Sequence, residues 1–295
     1  MSGNGSKWLM GCGIGCGAVV LLLVALGTFG YLFMKSRMHG FAEAESTSDE
    51  LARKYGRIAD YCPDPGGPAA DRIRVFLDAR ERAAAARRNL EVSFTGLSDG
   101  IRQAREGQDS IPQIFDIIIR GVSIVPQLGE FHAARTQTLL DAGMGPGEYV
   151  YIYVLAYYSW LGKSPADGPG FRIQGDRGIV REDSRDGRDV REERRDELTR
   201  YVRRTFLAML RNQRSKPDEG RAEAPPDAWR KALDAEISAL EENPSRIPWQ
   251  DGLPKAIEDT LRPFRQRLED SYSPLVNPLE LGLWARSGRQ EDLRW

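Results

Sequence analysis

The sequence predicts an all-α protein: a single N-terminal transmembrane helix followed by a multi-helix, bundle-like domain that carries a long mixed-charge loop. Three observations lead there. Trp8 to Met34 is a run of 27 residues without a charge. Beyond it, apolar residues recur at spacings of three and four, the period of an amphipathic helix. Clusters of Pro, Gly and Asn interrupt that pattern where helices of ordinary length should stop.

The uncharged run is long enough, at about 1.5 Å per residue, to cross the roughly 30 Å hydrocarbon core with some tilt. A cleaved signal peptide is the rival reading, since Ala42-Glu43-Ala44 has a small-x-small form, but Lys35, Arg37 and His39 stand between that site and the apolar block. An uncleaved anchor is therefore expected. Gly11, Gly13, Gly15 and Gly17 form two interleaved GxxxG pairs, a spacing that lets two membrane helices approach closely and self-associate. The charges flanking the anchor decide orientation weakly. The short N-terminal tail favours an exported domain over a cytoplasmic one, which places the protein in a bacterial-type inner membrane with a single pass.

After the anchor and its tail (1–40), the chain divides into a helical core region (41–162), a charged Gly-rich loop (163–189) and C-terminal helices with a tail docked on that core (190–295). Leu51, Tyr55, Ile58 and Cys62 mark a short helix that ends at Pro63-Asp64-Pro65-Gly66-Gly67-Pro68. One long helix is expected from about Ala69 to Glu106, its apolar seam interrupted by Arg80 and Arg87. Long Arg stems lie along such seams with their heads in water, so both are expected to be solvated. Ser110 opens the next helix, with Gln113 in the capping-box position, and Pro126 should kink or divide it before it ends at Gly143.

Gly145-Pro146-Gly147-Glu148 restarts a helix with Pro at its first position and an acid in its first turn. From Tyr149 to Leu161 there is no charge, yet thirteen residues are too few to cross a bilayer. A central helix buried on all sides is the natural reading. Phe171-Arg172-Ile173 and Ile179-Val180 suit a minimal hairpin in the loop that follows. Residues 176–197 mix seven Arg with nine acids and should be solvated. A helix then runs to about Arg214, and 216–227, with three Pro, is a linker or long loop. Trp229, Leu233, Ile237 and Leu240 mark the next helix, which Asn243-Pro244 stops. Ile257, Leu261, Phe264 and Leu268 mark another, bent at Pro263. From Ser273 to Trp284 the tail reads as a docked extended arm.

Composition removes several function classes. At 41% hydrophobic and 29% charged, the chain is neither a polytopic membrane protein nor wholly disordered. Its net charge is −1, and Lys7, Lys35 and Arg37 lie at the anchor, so the domain is more acidic still and no nucleic-acid partner is expected. Arg outnumbers Lys 35 to 7, which favours forked pairing with carboxylates. No phosphate loop, dinucleotide fingerprint, nucleophile elbow or zinc motif is present. Accordingly no catalytic, cofactor-binding or metal-binding residue is assigned, and no cofactor is expected. Glu130, His132 and Arg135 cluster near a helix end, but a satisfied or exposed His is the commoner case. Asp116 and Arg120, four apart, suit an ion pair that fixes helix register.

Two features remain as candidate ligand or partner surfaces. Tyr149, Tyr153 and Tyr157 share a helical face and pack in the core or line a pocket, with Glu148, Asp116 or carbonyls as hydroxyl partners. Arg200, Arg203, Arg204, Arg211 and Arg214 fall within an arc of about 100°, opposite an apolar face, and suit solvent, anionic lipid or an acidic partner. The expected function is a membrane-anchored structural or interaction module, not an enzyme, whose partners are the bilayer and a protein, or a second copy through the anchor. The alternative is an envelope-associated enzyme or small-molecule sensor that uses the Tyr-rich helix and nearby carboxylates.

Overall fold

The computed structural model describes residues 46–105, 111–174, 178–181, 190–216 and 227–281. The predicted anchor with Gly11, Gly13, Gly15 and Gly17, the linker at 217–226, residues 182–189 and Trp284 lie outside the described residues. So do the side chains of Asp116 and Arg120. Among the described residues, no helix is long and apolar enough to cross a membrane.

The architecture is helical, with one small antiparallel hairpin. Helix α1 covers 46–55 and ends at Gly56, whose φ of +77° turns the chain into a single 3₁₀ turn at Ile58–Asp60. The Pro-Gly segment that follows brings Gly67 against Ile257, where an added Cβ would meet Ile257 Cγ1 at 2.5 Å. Helix α2 (Ala70–Arg82) and helix α3 (Ala84–Arg105) replace the single predicted helix. The break at Ala83 has a side-chain cause. Arg87 Nη2 donates to the carbonyl of Arg80, the acceptor that an unbroken helix would offer to the amide of residue 84.

Helix α4 (Ile111–Asp141) passes through Pro126 undivided, so the one backbone bond that Pro removes does not end it. It packs along α3. Leu90, Phe94, Leu97, Ile124, Leu128 and Phe131 form the apolar cluster between them, joined by Phe171 and Val276. Gly143 ends the segment with φ of +62°, as expected of a helix C-cap glycine.

Helix α5 (Pro146–Tyr153) is the centre of the larger core, and its backbone widens into a π-helical stretch over Val154–Trp160. Every residue from Tyr149 to Tyr158 is buried, as the charge-free sequence predicts. Strands β1 (Phe171–Gln174) and β2 (Gly178–Arg181) pair antiparallel with Ile173 opposite Ile179, which realises the predicted hairpin. Phe171 pins β1 to α3 by an edge-on contact with Phe94 at 5.7 Å.

Helix α6 (Val190–Ser215) buries Leu198, Val202, Phe206, Met209 and Leu210 against the core. Helix α7 (Asp227–Glu242) adds Trp229, Leu233, Ile237 and Leu240. Helices α8 (Lys255–Leu261) and α9 (Arg265–Ser271) are joined by a 3₁₀ turn that contains Pro263. The terminal arm is not extended throughout: it closes a one-turn helix, α10 (Asn277–Glu280), with Asn277, Glu280 and Leu281 buried. That turn lets Asn277 and Glu280, three apart, face the same side.

Candidate functional site

Arg80 and Arg87 stand seven residues apart on α2 and α3, so they share a face, and that face is closed by α10. Both expectations of solvated heads are corrected: Arg80 is 2% exposed and Arg87 6%. The reason is a buried carboxylate from nearly 200 residues away. Arg80 Nη1 lies 3.1 Å from Glu280 Oε1, and Arg87 Nε lies 3.9 Å from the same oxygen. Arg80 Nη1 also donates to the Tyr149 hydroxyl at 2.7 Å, which donates in turn to Glu280 Oε2 at 2.6 Å. The carbonyl of Ser271, at the end of α9, accepts from Arg80 Nη2 at 2.6 Å and from Arg87 Nη1 at 2.5 Å.

A third cation comes from α4. Arg135 Nη1 donates to the carbonyls of Leu279 and Glu280, both at 2.8 Å, which places a positive charge on the C-terminal end of α10. Three guanidinium groups thus surround one carboxylate among the described residues. Aromatic faces and carbonyls absorb the excess charge. The Arg80 guanidinium lies 5.1 to 5.6 Å from the rings of Phe76, Tyr153 and Tyr157, and that of Arg135 lies 5.7 Å from Tyr149.

The protonation states follow from this setting. Burial opposes a charged Glu280 most strongly, but Arg80, Arg87 and Arg135 outweigh it, aided by the Tyr149 hydrogen bond. The carboxyl is held below its ordinary range. Burial likewise works against a charged Arg80, and Glu280 overrides it to keep the guanidinium protonated. The Tyr149, Tyr153 and Tyr157 hydroxyls are pushed up, chiefly by burial, so all three are neutral phenols.

The Tyr face is core, and its hydroxyls turn to the C-terminal arm. Glu148 is not their partner, because Arg72 holds it through two hydrogen bonds of 2.6 Å. Tyr153 donates to Asn277 Oδ1 at 2.9 Å and Tyr158 donates to the same oxygen at 2.8 Å. The Tyr157 hydroxyl bonds Ser271 Oγ at 2.7 Å. Residues five apart point about 140° away from each other in an α-helix, so Tyr153 and Tyr158 would diverge there. The π-helical backbone, which bonds i to i+5, brings them onto one acceptor. Asn277 Nδ2 donates to the Asp167 carbonyl at 3.0 Å, and the Tyr272 hydroxyl donates to Asp167 Oδ2 at 2.8 Å.

A cleft of about 430 Å³ opens beside this network, lined by Arg87, Arg88 and Arg267 and by Glu81, Glu91 and Asp270, among others. It lies where the break between α2 and α3 faces the end of α9.

The α6 basic stripe is divided between α7 and solvent. Arg203 donates to the carbonyls of Leu240 and Glu241 at the end of α7, and Arg211 pairs with Glu241 at 2.6 Å. Arg214 lies 3.7 Å from Asp234. Arg200 and Arg204 are exposed. Glu130, His132 and Arg135 are not gathered for acid-base work, since Arg135 is turned to α10. Burial and Arg135 depress the His132 pKa to about 4, which leaves a neutral imidazole. Among the described residues no group of His, Cys, Asp or Glu is arranged to hold a metal ion.

The chain matches no known protein-family model, no curated protein and no solved structure. Sequence reasoning missed Glu280, Asn277 and Tyr158 as partners. One signal was available: two Arg seven apart on an otherwise apolar seam, together with a lone acid between leucines in Asn277-Pro278-Leu279-Glu280-Leu281.

Proposed function

We propose that this protein is a single-pass, membrane-anchored interaction module: residues 8–34 hold it in a bacterial-type inner membrane, and the helical domain meets a protein partner on the exported side. The observation that supports this most is the internal commitment of the domain's reactive side chains. Tyr149, Tyr153 and Tyr157 give their hydroxyls to Glu280, Asn277 and Ser271. The enzyme or sensor alternative needs such groups turned toward a ligand. A rigid helical domain beside a membrane is suited instead to presenting surfaces, and GxxxG pairs in the anchor add a route to self-association.

Membrane fractionation with alkaline carbonate, followed by protease treatment of spheroplasts, tests placement. The full chain should stay in the membrane pellet and its domain should be cleaved from outside. Release by carbonate, or protection from protease, would refute the anchoring or the orientation respectively. Chemical cross-linking in membranes tests association: a stoichiometric adduct is expected, and Gly15→Leu should weaken the homotypic one by forcing the anchor backbones apart.

A further inference from the structure

The carboxylate that occupies the arginine cluster comes from a different part of the chain than the cluster itself. Arg80, Arg87 and Arg135 project from α2, α3 and α4, three helices that contribute to the two apolar cores. Glu280 projects from the one-turn helix α10, reached through the Tyr272–Val276 loop. Leu275, Val276, Leu279 and Leu281 anchor α10 and its approach in the apolar cores, and the remaining contacts are polar: two hydroxyls and an amide on Asn277, the Glu280 ion pairs, and carbonyls facing Arg135. A competing segment of similar sequence exchanges for the arm by offering the same carboxylate, carbonyls and apolar side chains.

The cluster is also under-neutralised. Among the described residues, Arg80 Nε and Arg87 Nε are buried with no hydrogen-bond partner, so donors remain for a second carboxylate oxygen or for a replacement group. Arg87 lines the adjoining cleft, where Arg88 and Arg267 are balanced by Glu81, Glu91 and Asp270, so the cleft gives a path to the buried guanidinium through a lining of mixed charge. Planar, forked donors in this number are suited to a carboxylate rather than to a neutral group.

We propose that Arg80, Arg87 and Arg135 form a carboxylate-binding cradle which the chain fills with its own Glu280, making residues 272–281 a latch that an acidic peptide segment from a partner displaces. The self-contact is the resting state. An acidic segment resembling Asn277-Pro278-Leu279-Glu280-Leu281 takes the same guanidinium and tyrosine contacts once the arm swings out. This inference does not depend on the anchor or on the orientation of the domain.

The test uses the full chain in mild detergent and a fluorescent peptide with the sequence of residues 272–281. Glu280→Ala removes the carboxylate that fills the cradle and weakens the latch, so the peptide should bind that variant at least about tenfold more tightly than it binds the wild type, whose intact latch competes. A peptide with Gln in the Glu280 position should lose that gain. Arg87→Leu added to Glu280→Ala should abolish it. Sodium acetate, compared with chloride at equal ionic strength, should raise the Glu280→Ala thermal midpoint saturably, by about 2 to 4 °C. Equal affinity for the Glu and Gln peptides overturns the cradle. Should Glu280→Ala fail to fold, wild-type protein carries the test: excess peptide must accelerate hydrogen exchange at amides 277–281 and leave α5 protected. Unchanged exchange there overturns the latch.

Discussion

Removing Arg80 or Glu280 singly should be far more damaging than removing both. The two side chains are 0% and 2% exposed and their closest atoms lie 3.1 Å apart. At an effective dielectric of about 20, that separation corresponds to about 5 kcal/mol of gross attraction, from which the cost of desolvating both ions must be subtracted. Arg80→Met leaves Glu280 buried with Arg87 at 3.9 Å as its nearest ion-pair partner, and Glu280→Leu leaves Arg80 with the Tyr149 hydroxyl, the Ser271 carbonyl and ring faces but no carboxylate. Each single change should therefore cost about 3 to 5 kcal/mol, a large part of the roughly 5 to 15 kcal/mol that holds a domain folded. In the double variant neither charge is stranded by the other, and its cost should fall short of the sum by about 2 to 3 kcal/mol. The same cycle with Arg87 in place of Arg80 should give a smaller coupling, because its distance is longer. Urea unfolding of the four proteins, followed by far-ultraviolet circular dichroism, measures both cycles. Additivity within about 0.5 kcal/mol for Arg80 and Glu280 would refute the ion pair as an organising contact.

Three further outcomes follow from the same geometry. Tyr153→Ala should lower stability by about 3 to 5 kcal/mol through lost packing, whereas Tyr153→Phe removes only its hydrogen bond to Asn277 and should cost about 1 kcal/mol; a thermal midpoint unchanged in the Ala variant would contradict the core placement. Gly147→Ala puts a Cβ 2.4 Å from Tyr61 Cβ and 2.7 Å from the Ile58 carbonyl; because backbone cannot yield as a side-chain tip does, a loss of about 1 to 3 kcal/mol is expected in the same unfolding assay. Acid should weaken the fold in two stages. The folded His132 pKa of about 4 lies below its ordinary value of 6.5, so its share of stability is complete above that value and declines as pH falls toward 4. Glu280, also depressed, contributes fully above the ordinary carboxylate pKa of about 4.3 and loses its share as pH falls through its lower folded value. Stability against pH for His132→Gln and Glu280→Gln separates the stages: each variant should lack one of them.

Much of the helical layout is decided locally, and local signals carried it. Gly143 takes the left-handed conformation that ends a helix, Pro146 starts the next where its missing N–H costs nothing, and the uncharged run from Tyr149 to Tyr158 is buried because no side chain in it needs water. The hairpin, the stop at Asn243 and the bend at Pro263 are likewise set by neighbouring residues. The break at Ala83, the paired aim of Tyr153 and Tyr158, and the burial of Arg80 and Arg87 are different in kind. Each depends on a group supplied from elsewhere: the Arg87 side chain competing for a backbone carbonyl, Asn277 accepting from two hydroxyls, and Glu280 arriving from nearly 200 residues away. A lone sequence window assigns Arg to solvent because burying an unpaired charge is prohibitive. Only the tertiary fold decides otherwise, by carrying a carboxylate, ring faces and free carbonyls to the same point, where together they replace the water that Arg80 and Arg87 give up.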